Sequence, residues 1–144
     1  MAHAFQDSIS FLLAQIGKAH RSCADEHLNE VGLHVGQEMF LMCVWEHEGM
    51  TQTQIAERMG VQPPTVNKML SRMEAVGLVS RRPDDDDNRV TRVHLTDKSR
   101  ALQGEVSRVW DELEARTTAN LSLDERVLLR RLLMQVYANL IDKP

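Results

Sequence analysis

TQTQIAERMGVQPPTVNKMLSRMEAVGLVSRRPDDDDNRVTRVHLT, residues 51–96, is a run of helix start and stop signals followed by turn residues. Thr51 can cap a short helix, Gln54 three residues on completes a capping box, and Gly60 ends the helix. A second helix starts at once. Pro63 and Pro64 fall in a first turn, where a missing N–H costs nothing, and Gly77 closes the segment at the position that favours a left-handed residue. Two helices separated by a turn of about four residues have helix-turn-helix spacing. Beyond them, residues 78–82 and 90–95 have strand patterns around the turn-prone run Pro83, Asp84, Asp85, Asp86, Asp87, Asn88 and Arg89. That predicts a β-hairpin with a long tip, and so a winged helix-turn-helix.

The second helix divides into two faces. Val66, Met69, Leu70, Met73 and Val76 recur at helical spacing and predict an apolar stripe toward the core. Pro64, Thr65, Asn67, Lys68, Ser71 and Arg72 occupy the remaining surface, with Gln62 just before the helix and Arg82 in the strand after it. Short polar groups and cations reach base edges and phosphates in a major groove without blocking the helix from entering it. A solvated helix face has a similar composition. The wing and the helix-turn-helix spacing arriving together favour the nucleic-acid reading.

Residues 33–102 resemble the MarR family of bacterial transcription regulators, and the arrangement of helices outside them is similar too. The most specific piece is Gly77-Leu78-Val79 followed by two arginines, the wing with Asp87-Asn88-Arg89, then Leu95-Thr96-Asp97-Lys98. The resemblance implies that Asp87 and Arg89 pair within the wing and that the arginine enters the minor groove. Physics agrees: a carboxylate orients a guanidinium by charge-assisted bonds, and a narrow minor groove attracts arginine through its negative potential. The expected DNA-binding set is Gln62, Pro64, Thr65, Asn67, Lys68, Ser71, Arg72, Arg82, Asp87 and Arg89. Three positions depart from the family pattern. Asn88 stands where a second arginine is common and removes a phosphate contact; Ser99 replaces a common glycine, and His34 a common threonine, both of which bear on local backbone geometry.

At 144 residues the chain suits a single domain over 1–144. Its net charge of −4 argues against indiscriminate binding to nucleic acid. The charge is unevenly spread: residues 1–50 hold seven acidic and two basic side chains, whereas residues 51–82 hold two acidic and five basic. Positive charge therefore concentrates on the proposed reading head. Asp84 to Asp87 run against this trend, because four carboxylates repel a phosphate backbone. The wing tip is expected to point into solvent with only Asp87 structurally engaged.

Apolar residues recur at helical spacing near both ends of the chain. Phe5, Ile9, Leu12, Leu13, Ile16, Ala19 and Cys23 mark one face of a long first helix that Gly32 ends, and Leu102, Val106, Val109, Trp110 and Leu113 mark another. Ser122 and Glu125 form a second capping box, opening a last helix that holds Val127, Leu128, Leu129, Leu132, Leu133, Val136, Tyr137 and Leu140. This is more apolar surface than one small wing domain needs. The resemblance implies interlocking with a second copy, and the excess gives that a physical motive; a monomer burying all of it internally is the alternative. The expected class is mainly α (α+β), with a winged helix-turn-helix core over 34–96 and dimerisation helices over 5–31 and 97–141. A two-fold dimer would read an inverted repeat with recognition helices roughly 34 Å apart.

The resemblance further implies a repressor released by a small aromatic ligand, for which His20, Arg21, His34 and Trp45 are candidate lining residues. Cys23 and Cys43 show no C-x-x-C pairing, so no disulfide or thiol zinc site is signalled. The redox branch of the family places its cysteine where this chain has Ser10, and Cys23 and Cys43 read as inert packed thiols. His20, Cys23 and His27 share one helical face and are zinc-type donors, but three ligands on one helix surround a tetrahedral ion poorly. His47-Glu48-Gly49-Met50 begins like a zinc-protease helix, yet Thr51 stands where the second ligand belongs. With no G-x-S-x-G elbow and no glycine-rich phosphate loop, no catalysis and no cofactor are expected. No signal peptide or membrane span is read, so a cytoplasmic location is expected. The rival to DNA binding is a winged helix whose face docks a protein partner.

Overall fold

In the computed structural model, which describes residues 4–142, a 3-10 turn (Phe5–Asp7) leads into α1 (Ile9–Glu30), α2 (Gln37–Glu46), α3 (Gln52–Met59) and α4 (Pro63–Ala75). Then come strands β1 (Val79–Pro83) and β2 (Thr91–Leu95) and helices α5 (Asp97–Thr117) and α6 (Leu123–Ile141). The chain forms two compact units that divide within α5, one up to Trp110 and one from Asp111 onward. No helix among the described residues is long and apolar enough to cross a membrane.

Local signals set the boundaries in the first unit. The Thr51 hydroxyl accepts from the Gln54 N–H at 3.2 Å while the Gln54 side chain accepts from the Thr51 N–H at 2.9 Å, so the predicted capping box opens α3. Gly60 closes α3 at φ +66°, a left-handed conformation that an L side chain resists. Pro63 and Pro64 occupy the first turn of α4, and Gly77 follows it at φ +77°. Ser99, in the place of the glycine common in the family, completes a cap of its own: the Thr96 N–H donates to Ser99 Oγ at 3.0 Å and the Ser99 N–H to Thr96 Oγ1 at 3.3 Å. At His34 the backbone N–H donates to Gln37 Oε1 at 2.9 Å, and Gly36 at φ +99° turns the chain into α2.

Leu28, Leu33, Phe40, Leu41, Val44, Ile55, Val66, Leu70, Met73, Val79 and Val93 form the buried core of this unit. Burial of each such side chain contributes roughly 1.5–3 kcal/mol, so packing rather than propensity holds the short α3 in place. Of the α4 stripe, Val66, Leu70 and Met73 are buried, but Val76 is 51% exposed. The helix ends at Ala75, and beyond its last turn Val76 leaves the 3.6-residue rhythm that would have carried it inward.

The strands pair antiparallel, with Val79 opposite Leu95 and Arg81 opposite Val93. They sit one residue C-terminal to the predicted start of each. On its other edge β2 meets the α2–α3 corner: the Gly49 N–H donates to the Val93 carbonyl, and the Val93 N–H to the Met50 carbonyl, both at 2.9 Å. Gly49 holds φ +87°, a conformation that only glycine adopts without strain. The wing therefore grows from a strand that is fixed on both sides.

In the second unit, Ser122 and Glu125 form the other predicted capping box. The Arg126 guanidinium donates to the carbonyls of Thr118 and Leu121, each at 3.3 Å. No residue of α6 is buried. Leu123, Val127, Leu128, Leu132, Leu133, Tyr137 and Leu140 are all exposed, and a groove of about 580 Å³ runs between the end of α5 and α6.

Candidate nucleic-acid interface

Two rows of side chains project from the first unit, one on α4 and one on the wing. Gln62, Pro64, Thr65, Asn67, Lys68, Ser71 and Arg72 are all exposed, opposite the buried Val66, Leu70 and Met73. The core thus turns the polar face of α4 outward. Arg82 on β1 is exposed as well.

The wing tip is built around Arg89. Its Nε donates to Asp87 Oδ1 at 3.0 Å and its Nη2 to Asp87 Oδ2 at 3.2 Å, a two-toothed pair that fixes the plane of the guanidinium. The Arg89 side chain is nevertheless 90% exposed. Its bonds to Asp87 hold that carboxyl below the usual carboxylate range. In an exposed site such a pair adds little stability; its effect is to aim a cation.

Asp87 is not the one engaged carboxylate of the acidic run, contrary to the sequence expectation. Asp84 accepts from the N–H groups of Asp86 and Asp87, each at 3.1 Å, and from Arg92 Nε. Arg92 also donates from Nη1 to the Gly49 carbonyl at 2.8 Å. One carboxylate thereby folds the tip, and one guanidinium ties its root to the α2–α3 corner. The bond from Arg92, followed by the two backbone donors, holds the Asp84 carboxyl down. Asp85 and Asp86 point into solvent.

Another cation, missed by the sequence reading, joins β1 to α4. Arg81 on β1 donates from Nη2 to Ser71 Oγ at 2.6 Å and from Nη1 to Asn67 Oδ1 at 3.3 Å. Its Nε lies 3.4 Å from Glu74 Oε1, and its backbone N–H donates to Glu74 Oε2. Strand alternation carried the signal. Arg81 is two residues from the buried Val79 and so shares its face, whereas Arg82 points the other way. Arg92 and Asp84 gave no comparable local sign, because their pairing depends on the hairpin register.

Below the wing, Glu48 accepts from the Leu95 N–H at 3.1 Å and from Arg100 Nη2, and these bonds lower its pKa. Of the candidate ligand residues, Arg21 and His34 line one shallow cavity of about 400 Å³ with Lys18, Ser22, Asp25 and Val35. Trp45 is placed elsewhere, its indole N–H donating to the Ser99 carbonyl at 3.1 Å, and the His20 ring lies 6.3 Å from that of Trp110. The proposed metal donors do not converge. His27 Nδ1 is 2.8 Å from the Cys23 carbonyl, and no group of three His, Cys, Asp or Glu side chains among the described residues could hold an ion. Burial pushes the Cys43 thiol up, which keeps it protonated and unreactive.

Comparisons with known proteins agree with this geometry. A profile of the MarR family matches residues 33–91. The chain is 34% identical over 110 residues to the HTH-type transcriptional regulator TtmR of Methylorubrum extorquens; the match covers 76% of this chain and 53% of TtmR, so the chain spans about half the length of that relative. To the HTH-type transcriptional regulator MgrA of Staphylococcus aureus it is 27% identical, over 93% of this chain and 90% of MgrA. Among solved structures, the S. aureus MepR–DNA complex is similar with a TM-score of 0.86 at 25% identity, covering 92% of this chain and 98% of MepR. With a winged helix that turns a polar, cationic face outward, residues 33–91 form a MarR-family domain, and the chain is similar along most of its length to transcriptional regulators of that family.

Proposed function

We propose that this chain is a cytoplasmic, sequence-specific repressor that binds an inverted-repeat operator as a homodimer, blocks polymerase by occupancy and is released by a small aromatic ligand. The observation that carries the reading is Arg89, oriented by two bonds to Asp87 yet left 90% exposed. A guanidinium held so far into solvent gains little for the fold and suits a narrow groove of negative potential. The polar face of α4 suits the neighbouring major groove. In this reading Gln62, Pro64, Thr65, Asn67, Lys68, Ser71, Arg72 and Arg82 line the contact, with Lys68, Arg72 and Arg82 as its cations.

Dimerisation is supported by apolar surface that each unit leaves open. Phe5, Ile9, Leu12 and Ile16 are at least half exposed in the first, and α6 buries none of its leucines in the second. Exposed apolar surface on this scale marks an association face. A two-fold pair presents two reading heads, which suits an inverted repeat. Lys18 and Arg21 in the shallow cavity beside His34 suit an anionic aromatic ligand.

Footprinting on the DNA flanking the chain's own gene, at two salt concentrations, tests the proposal. A protected palindrome whose affinity falls with a log–log salt slope of about −0.9 per phosphate contacted is the expected result. Binding insensitive to salt would instead favour a winged helix that docks a protein partner.

A further inference from the structure

We propose that Arg81 is a positioning residue that holds Asn67 and Ser71 and presents the Asn67 amide to DNA as a hydrogen-bond donor, so that Asn67 reads guanine. The inference rests on the proposed entry of α4 into the major groove and names the base that this entry selects.

An asparagine amide has one acceptor oxygen and one donor nitrogen, and a free asparagine suits adenine, whose major-groove edge offers an acceptor at N7 and a donor at N6. Asn67 is not free. Its Oδ1 accepts from Arg81 Nη1 at 3.3 Å and from Gln52 Nε2, on α3, at 3.4 Å. A guanidinium carries donors only, so the atom facing Arg81 has to be the oxygen, and the assignment of the two ends of the amide is fixed by chemistry. Two donors fill the two lone pairs of Oδ1. What Asn67 has left is its NH₂ group, on an exposed helix face.

Ser71 is held by the same guanidinium. Its Oγ accepts from Arg81 Nη2 at 2.6 Å, which leaves one lone pair and the hydroxyl hydrogen for other partners. Glu74 holds the guanidinium from behind, with Oε1 3.4 Å from Arg81 Nε and Oε2 accepting from the Arg81 N–H. The order Glu74, Arg81 and Asn67 therefore turns the Asn67 amide toward donation. Guanine presents acceptors at both O6 and N7, whereas the N6 amino group of adenine faces Asn67 with a donor it cannot accept.

The test is selection from duplexes carrying a randomised stretch of about 20 base pairs, two helical turns, by the full chain and by Asn67→Ala, Arg81→Met, Arg81→Lys and Arg81→Met with Asn67→Ala. The base pair whose preference disappears in Asn67→Ala is the one Asn67 reads, and in the parent it is expected to be G·C. Arg81→Met is expected to lower the guanine-over-adenine affinity ratio there by about tenfold, with the thermal midpoint and salt slope unchanged. Arg81→Lys should fail to restore it, because a single ammonium cannot hold both side chains. Adding Asn67→Ala to Arg81→Met should cost no further discrimination, since the two act through one contact.

An A·T pair at the Asn67 position overturns the inference from the parent alone, whatever the stability of the Arg81 variants. So does a uniform loss of affinity in Arg81→Met with the salt slope reduced by about one, which would make Arg81 a phosphate contact. Enrichment of a palindrome with A·T at that position refutes the guanine reading and leaves the operator-binding proposal standing. Enrichment of no sequence refutes both.

Discussion

The reading head and the last helix expose opposite surfaces. On α4 the apolar residues Val66, Leu70 and Met73 are buried and the polar ones face outward; on α6 the leucines themselves stand in solvent and nothing is buried. Helix α6 opens on a capping box and α4 on two prolines in its first turn, so the difference is not one of local helix formation. Helix α4 finds within its own unit the surface its apolar face needs. Helix α6 finds no such surface in its own unit, so α4 is finished and α6 unfinished.

The largest effect expected to test this contrast is on stability. Leu70→Ala should cost about 2–5 kcal/mol of unfolding free energy in chemical denaturation, since it opens a cavity in a closed core. Leu132→Ala, at a site 45% exposed, should change the unfolding of dilute monomer by less than about 0.5 kcal/mol and instead weaken self-association in sedimentation. Equal costs for the two would erase the distinction between finished and unfinished helices.

Arg89→Ala follows in size, at about 1–3 kcal/mol of operator affinity with the thermal midpoint unchanged. Binding as tight as that of the parent would remove the wing from the interface. Lys68→Ala and Arg72→Ala are expected to do less, each reducing the salt slope by about one if its cation meets a phosphate. Titration curves in which neither variant departs from the parent would move the contact off α4.

The smallest effect concerns acid. The carboxyls of Asp84, Asp87 and Glu48 titrate below their unfolded values in the folded wing and its base, held there first by Arg92, Arg89 and Arg100 respectively. Their contribution is complete at neutral pH and is lost as pH falls through the carboxylate range. Glu38, buried at the start of α2, has its pKa raised by desolvation, so its ionised form is the one folding disfavours. Local stability there rises as pH drops from neutral through that raised value. Amide exchange at falling pH should therefore show the backbone of residues 86–89 opening before that of α2, and the reverse order would contradict the assigned carboxylate environments.

What the sequence disclosed follows from the range of each interaction. The capping boxes at Thr51 and Ser122 and the left-handed glycines 60 and 77 rest on residues no more than three apart and were legible in the chain, whereas the Asp87–Arg89 pair, though as local, was implied by the family resemblance. Val76 was misplaced because periodicity does not announce the turn at which a helix stops. Arg81 and Arg92 were passed over for a different reason. Their partners lie 7 to 43 positions away, at Glu74, Asp84, Asn67, Ser71 and Gly49, and a strand register shifted by a single residue decides which of two neighbouring arginines meets them. The ligand candidates were chosen by residue type, which carries no distance, and of them Arg21 and His34 line a common cavity.

The bond from Arg92 to the Gly49 carbonyl moors the root of the wing to the corner between α2 and α3. Arg92→Met would leave the β1–β2 ladder in place and loosen the wing from that corner.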